Sequence, residues 1–232
     1  MTAGSGRVLG VDGCPNGWVG VVPDADRTRV YTARTLAGLL DRVAADGSVA
    51  TVGVDIPIGL ADRGPRAADL AARVALGARR SSIFLTPVRA AVEADDYAAA
   101  QQAHRAGTGQ GLSRQAYGLA AKIREVDGWV RTAGLPVLEV HPELSFASTP
   151  GGPLQHGKKT WAGAVERRRR LASEGIVLDG DLGPDPGRAG VDDVLDAAAA
   201  AWTMRRWAVG AAHPLPDPPE LMPDGIAAAI WV

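Results

Sequence analysis

Cysteine is nearly missing from this 232-residue chain: Cys14 is the only one. A single thiol can form neither an intramolecular disulfide nor a thiolate-only zinc site, which points to a reducing compartment and a fold held by an ordinary core. Charge is almost balanced, at a formal net −1. No global basic field marks the chain as a polyanion binder, so any such partner needs a local patch. No apolar run approaches the roughly 18 residues of a membrane span. The opening Met1-Thr2-Ala3-Gly4-Ser5-Gly6 lacks a basic-then-apolar export pattern, so a cytoplasmic protein without membrane contact is expected.

What is present is an alternation of short apolar runs and helical patterns. Arg7 to Asp12 and Trp18 to Val22 read as strands joined through Asn16-Gly17, a hairpin signal because type I′ turns need two residues tolerant of positive φ. A third strand is expected at Arg29 to Ala33, then a helix with Leu36, Leu39, Leu40 and Val43 at helical spacing. Ala50 to Pro57 reads as a buried strand parallel to the first. Residues 64–133 turn helical; Leu70 and Val74 mark an apolar face there, with Arg66, Arg73 and Arg80 opposite it. Leu135 to Glu143 returns to strand, with alternation placing Val137, Glu139 and His141 on one face and Leu138 and Val140 on the other. Val191 to Val209 is a long alanine-rich helix, Pro214 to Pro223 a proline-rich stretch, and Gly225 to Val232 a closing strand. The expectation is one α/β domain over residues 1–232, with a mixed sheet and a helical insertion at 64–133.

Three apolar strands end at or near a carboxylate (Asp12, Asp55 and Glu139), and Asp192, Asp193 and Asp196 sit in the first turns of the last helix. Aspartate is depleted in strands, and a carboxylate there must recover its lost hydration from cations, hydrogen bonds or solvent. A divalent cation supplies that compensation. Asp193 and Asp196 at i, i+3, or Asp192 and Asp196 at i, i+4, can face the sheet together, and the small Ala197 and Ala200 allow close approach. Each acid has a plainer reading: first-turn aspartates complement the helix dipole, and strand-end aspartates cap turns.

The segments Val8-Leu9-Gly10-Val11-Asp12-Gly13-Cys14-Pro15-Asn16-Gly17-Trp18, Gly53 to Leu60, Ser81-Ser82-Ile83-Phe84, Glu139-Val140-His141-Pro142-Glu143 and Asp192 to Ala197 together resemble the domain of unknown function 429 family, described as RNase H-like nucleases. That resemblance implies an RNase H-like mixed sheet, antiparallel over its first three strands and parallel afterwards, akin to Holliday-junction resolvases. It implies Mg2+ or Mn2+ held by Asp12 at the centre, with Asp55 or Glu139 as the second strand acid and Asp193 and Asp196 from the last helix. It implies phosphodiester hydrolysis and a nucleic-acid partner. The oligomeric state is left open by the sequence, with a homodimer as the form to test.

His141, Glu143 and Asp192 are secondary candidates beside these acids. Arg66, Arg73, Arg80, Lys158 and Lys159 are candidates for the phosphate backbone, each a point or fork of positive charge. The run Arg167 to Arg170 reads as a solvated helical face. The six tryptophans, Trp161 among them, suit core packing better than base stacking. Ser81, Ser82 and Thr86 read as cap or turn residues, and Cys14 carries no expected chemistry. Two other functions remain open: a nucleotide-binding phosphotransferase of actin-like fold, suggested by Asp12-Gly13 before a glycine-bearing hairpin, and a catalytically idle binding protein.

Overall fold

The computed structural model describes residues 6–25, 27–180 and 182–232. Met1 to Ser5, on which the export reading rests, lie outside the described residues, as do Asp26 and Asp181. The chain opens with β1 (Val8–Cys14), β2 (Gly17–Pro23), β3 (Thr28–Ala33), α1 (Leu36–Ala45) and β4 (Thr51–Val54). Five helices follow: α2 (Ala67–Leu76), α3 (Arg89–Val92), α4 (Tyr97–Thr108), α5 (Arg114–Gly118) and α6 (Ala120–Val130). Then come β5 (Val137–Val140), α7 (Pro142–Ser148), α8 (Trp161–Ser173), α9 (Val191–Ala208), β6 (Pro214–Leu221) and β7 (Ala227–Trp231).

Two compact units divide these elements. The first takes residues 1–55, 134–213 and 231–232; the second takes 56–133 and 214–230. In the first, the strands run in the order β3-β2-β1-β4-β5. β1 pairs antiparallel with β2, and β2 with β3, whereas β1–β4 and β4–β5 are parallel. This mixed sheet, with its antiparallel opening and parallel continuation, is the RNase H-like arrangement expected from the sequence.

Composition explains how the layers close on the sheet. α1 begins at Thr35, whose hydroxyl accepts from the Gly38 amide at 3.1 Å, and it buries Leu36, Leu39 and Val43. Leaving water is worth about 1.5–3 kcal/mol for each such side chain. On the other face lies α9, buried continuously from Val194 to Met204 and packed against β1, β2 and β4 on one side and α7 and α8 on the other. Its alanine run permits this. A Cβ added at Gly10 of β1 would stand 2.0 Å from the Ala197 carbonyl oxygen, so strand and helix touch backbone to backbone. Val8, Val140, Ala200, Ala201 and Met204 fill the seam.

Two local readings of the sequence are corrected. The β1–β2 turn is Pro15-Asn16, with Cys14 paired to Gly17; Asn16 keeps a negative φ, and glycine is needed at 17 because φ is 135° and a Cβ would meet the Ala33 carbonyl oxygen at 2.1 Å. In the second unit, α2 is rotated from the expected phase. Leu70 and Val74 are exposed, and the buried residues are Ala68, Asp69 and Ala72. Arg66, 1% exposed, decides this rotation: its guanidinium pairs with Asp69 at 2.5 Å and donates to the Ile58 and Gly59 carbonyls. Asp69 also accepts from the Thr86 amide at 2.8 Å. The proline-rich stretch forms strand β6, whose one neighbouring strand among the described residues is β7, the edge position where missing amide donors are tolerated.

Candidate metal centre

Parallel pairing brings the first two acids together. Val11 of β1 stands opposite Val54 of β4, so Asp12 and Asp55 occupy the next register position on neighbouring strands, and the Asp55 amide donates to the Val11 carbonyl at 2.9 Å. Gly10 and Gly53 both face α9. Alternation then points Asp12 and Asp55 to the same side. Asp196 comes from the first turns of α9, just before the alanines that lie on β1.

The outcome is a cluster in which one carboxylate oxygen from each of Asp12, Asp55 and Asp196 lies within 4.8 Å of the others. Asp12 is 7% exposed and Asp196 3%; Asp55 is half-buried. Burial first, then the charges of Asp55, Asp196 and Asp193, push the Asp12 carboxyl well above its ordinary range, with Lys158 opposing. Burial likewise raises Asp55 well above its ordinary value, helped by Asp196 and opposed by Lys158, with Glu139 and Glu143 adding their repulsion. Asp196 is raised by burial and held down by Lys158. Three crowded, poorly hydrated carboxylates need positive charge. A convergent set of hard oxygen donors is the chemistry that Mg2+, Mn2+ or Ca2+ takes, and the triad can hold a divalent metal ion.

One cation is built in. Lys158 Nζ donates to Asp196 Oδ2 at 2.8 Å. Burial lowers its basicity, but Asp196, with Asp12 and Asp55 behind it, outweighs that and keeps the ammonium charged. A second, Arg167, is fully buried and pairs with Glu143 of α7, and its charge also favours ionised Asp196. The sequence reading of Arg167 as solvated is therefore corrected. A usable signal existed: Gly163, Arg167 and Leu171 recur every four residues on the buried side of α8.

The remaining candidates fall in other places. Asp193 accepts from the Gly190 amide at 3.2 Å, in the helix-capping role, and acts on Asp12 through its charge while standing outside the three-oxygen cluster. Asp192 lies half-buried in the rim beside it. Glu139 is buried but pairs in register with Val54. Its neighbours Leu138 and Val140 pack toward α9, so alternation turns Glu139 to the opposite face. His141 precedes α7 as its N-cap residue, and Glu143 occupies that helix's first turn. In the second unit Arg66 is buried in its pair with Asp69, Arg73 donates to the Ile83 carbonyl at 3.0 Å and Arg80 is exposed. Lys159 is exposed and lines, with Lys158, Trp161, Val191, Asp192 and Asp193, an open groove of about 630 Å³.

A family model described as protein of unknown function (DUF429) matches residues 10–221. No curated protein and no solved structure matches the chain. Among the described residues, no helix is long and apolar enough to cross a membrane.

Proposed function

The chain belongs to the family described as protein of unknown function (DUF429), and from that premise we propose that it is a metal-dependent nuclease using Mg2+ or Mn2+ to hydrolyse phosphodiester bonds of nucleic acid. The observation that carries this reading is the convergence of Asp12, Asp55 and Asp196 within 4.8 Å at the strand ends of an RNase H-like sheet. A divalent ion there would supply an activated water and shield the charge of the phosphate. Asp12 and Asp55 would hold it from the rigid sheet, and Asp196 from a helix locked against β1. Lys158, already on Asp196, is placed to stay near the carboxylates or to turn toward an incoming phosphate. A cytoplasmic location, as one buried cysteine suits, is part of the proposal.

Titration of Mn2+ into the purified protein, followed by calorimetry, tests the site, and a panel of RNA, DNA and branched substrates tests the reaction. The expected result is stoichiometric binding and metal-dependent cleavage, the first weakened by at least about tenfold and the second abolished in Asp55→Asn. Absence of both in the wild-type protein overturns the reading.

A further inference from the structure

Trp161 does not enter the core. It is 83% exposed, the first residue of α8 after its N-cap Thr160, whose hydroxyl accepts from the Gly163 amide at 3.0 Å. A large aromatic ring left in water at a fixed point of a helix is an unused contact surface. Beside it in the same groove are the exposed apolar Val191 and two lysines in sequence, Lys158 and Lys159; the chain has only one other lysine, Lys122. On a protein of net charge −1, this pairing of adjacent ammonium groups with an exposed indole is a local feature. Lys158 links the groove to the acidic cluster, because it lines the one and holds Asp196 of the other.

We infer that this groove seats single-stranded nucleic acid, with an unpaired base stacked on the Trp161 indole and the adjoining phosphates against Lys158 and Lys159. The inference rests on the nuclease reading of the acidic cluster and adds to it the form of the substrate. Stacking on an aromatic platform requires a base free of its own neighbours, which a single strand, bulge or frayed end offers and an intact duplex does not. The lysines add sequence-independent attraction to the backbone, and the low charge count of the patch makes that attraction modest in its dependence on salt. Asp192 and Asp193 also line the groove and repel the same backbone, which favours seating the phosphates on the lysines.

Fluorescence anisotropy of a fluorescein-labelled 12-nucleotide oligothymidylate in EDTA, so that no cleavage occurs, tests the assignment beside a hairpin duplex of the same length. The single strand is expected to bind more tightly than the duplex. Trp161→Ala should weaken it by roughly 5- to 150-fold, Trp161→Phe by about threefold or less, and one to two backbone contacts should give a log–log salt slope of about −0.7 to −1.4. Melting curves establish that the variants, altered at an exposed position, remain folded. Equal affinity in wild type and Trp161→Ala, equal affinity for strand and duplex, or Trp161-dependent self-association in place of strand binding overturns the inference. Mn2+ calorimetry on the same proteins separates the two readings. Metal binding without strand binding removes the groove and spares the metal site; Trp161-dependent strand binding without metal binding does the reverse.

Discussion

The ammonium of Lys158 sits 2.8 Å from the Asp196 carboxylate, on a side chain 43% exposed, whereas its partner is 4% exposed. The charged head thus reaches from the surface into a pocket of three acids and partly neutralises it. Lys158→Ala removes that neutralisation. In EDTA the variant is expected to melt about 2–4 °C lower, the shift that about 1 kcal/mol produces in a chain of this size; a half-exposed lysine belongs at the lower end of the range for charged hydrogen bonds. With Mn2+ present the deficit should close, because the added cation replaces the missing one. A deficit unchanged by Mn2+ would show that Lys158 and the metal do not serve the same charge.

The raised Asp12 and Asp55 carboxyls make stability fall as pH rises. Burial and mutual repulsion place their folded pKa values above the unfolded ones, so between the two the native state binds more protons than the unfolded state, and unfolding free energy decreases with pH. These two carboxyls therefore subtract stability from the metal-free protein as pH rises above about 4, the ordinary aspartate range, until both are ionised; the depressed Glu166 and Asp224 carboxyls act with the opposite sign, but their contribution is complete once pH has passed that range. Asp12→Asn removes one charge from the cluster. It should melt higher than wild type at neutral pH in EDTA, flatten the pH profile and lose the Mn2+-induced rise in Tm. An Asp12→Asn variant that is less stable at neutral pH, with the wild-type profile intact, contradicts the crowded-carboxylate account.

Backbone contact between β1 and α9 fixes where Asp196 stands. A methyl at position 10 would fall 2.0 Å from the Ala197 carbonyl oxygen and 2.2 Å from the Ala201 amide nitrogen, atoms that move only if the helix moves. Gly10→Ala should thus exceed the usual overpacking cost of about 1–3 kcal/mol and lower Tm by at least about 6 °C. It should also shrink the Mn2+-induced rise, since displacing α9 carries Asp196 away from Asp12. Thermal melts with and without Mn2+ check both; a destabilised variant with a full metal response would place Asp196 outside the site.

The parts of this site that the sequence displays are those set by local pattern. Asp12 and Asp55 each follow an apolar run, and one parallel pairing is enough to bring them side by side. Asp196 follows from the alanines after it, which announce a close helix. What the sequence hides is rotation about an element's own axis. Leu70 and Val74 have the right spacing for a buried face, yet a buried Arg66–Asp69 pair turns α2 the other way. Trp161 reads as a core residue by type, and only the row of Gly163, Arg167 and Leu171, which lies on another side of α8, marks its exposure. The same blindness applies to β5, whose two faces are legible while the identity of the one facing α9 is not.

Glu139 is where that difference becomes measurable. Its place at the end of a parallel strand makes it a third strand acid by pattern, and it contributes repulsion to Asp55. Leu138 and Val140, however, pack their side chains on Ala200, Ala201 and Met204 of α9, so Glu139 points away from Asp12, Asp55 and Asp196. A direct ligand removed from a divalent site should cost at least the roughly 10–100-fold in affinity that an outer-shell partner costs. Calorimetry should then find Mn2+ affinity lowered by at least about tenfold in Asp55→Asn, and by about threefold or less in Glu139→Gln, since the latter loses only a through-space charge. If the two variants lose affinity equally, the metal is coordinated from β5 as well, and the strand must twist at its end far enough to overturn the alternation that Leu138 and Val140 define.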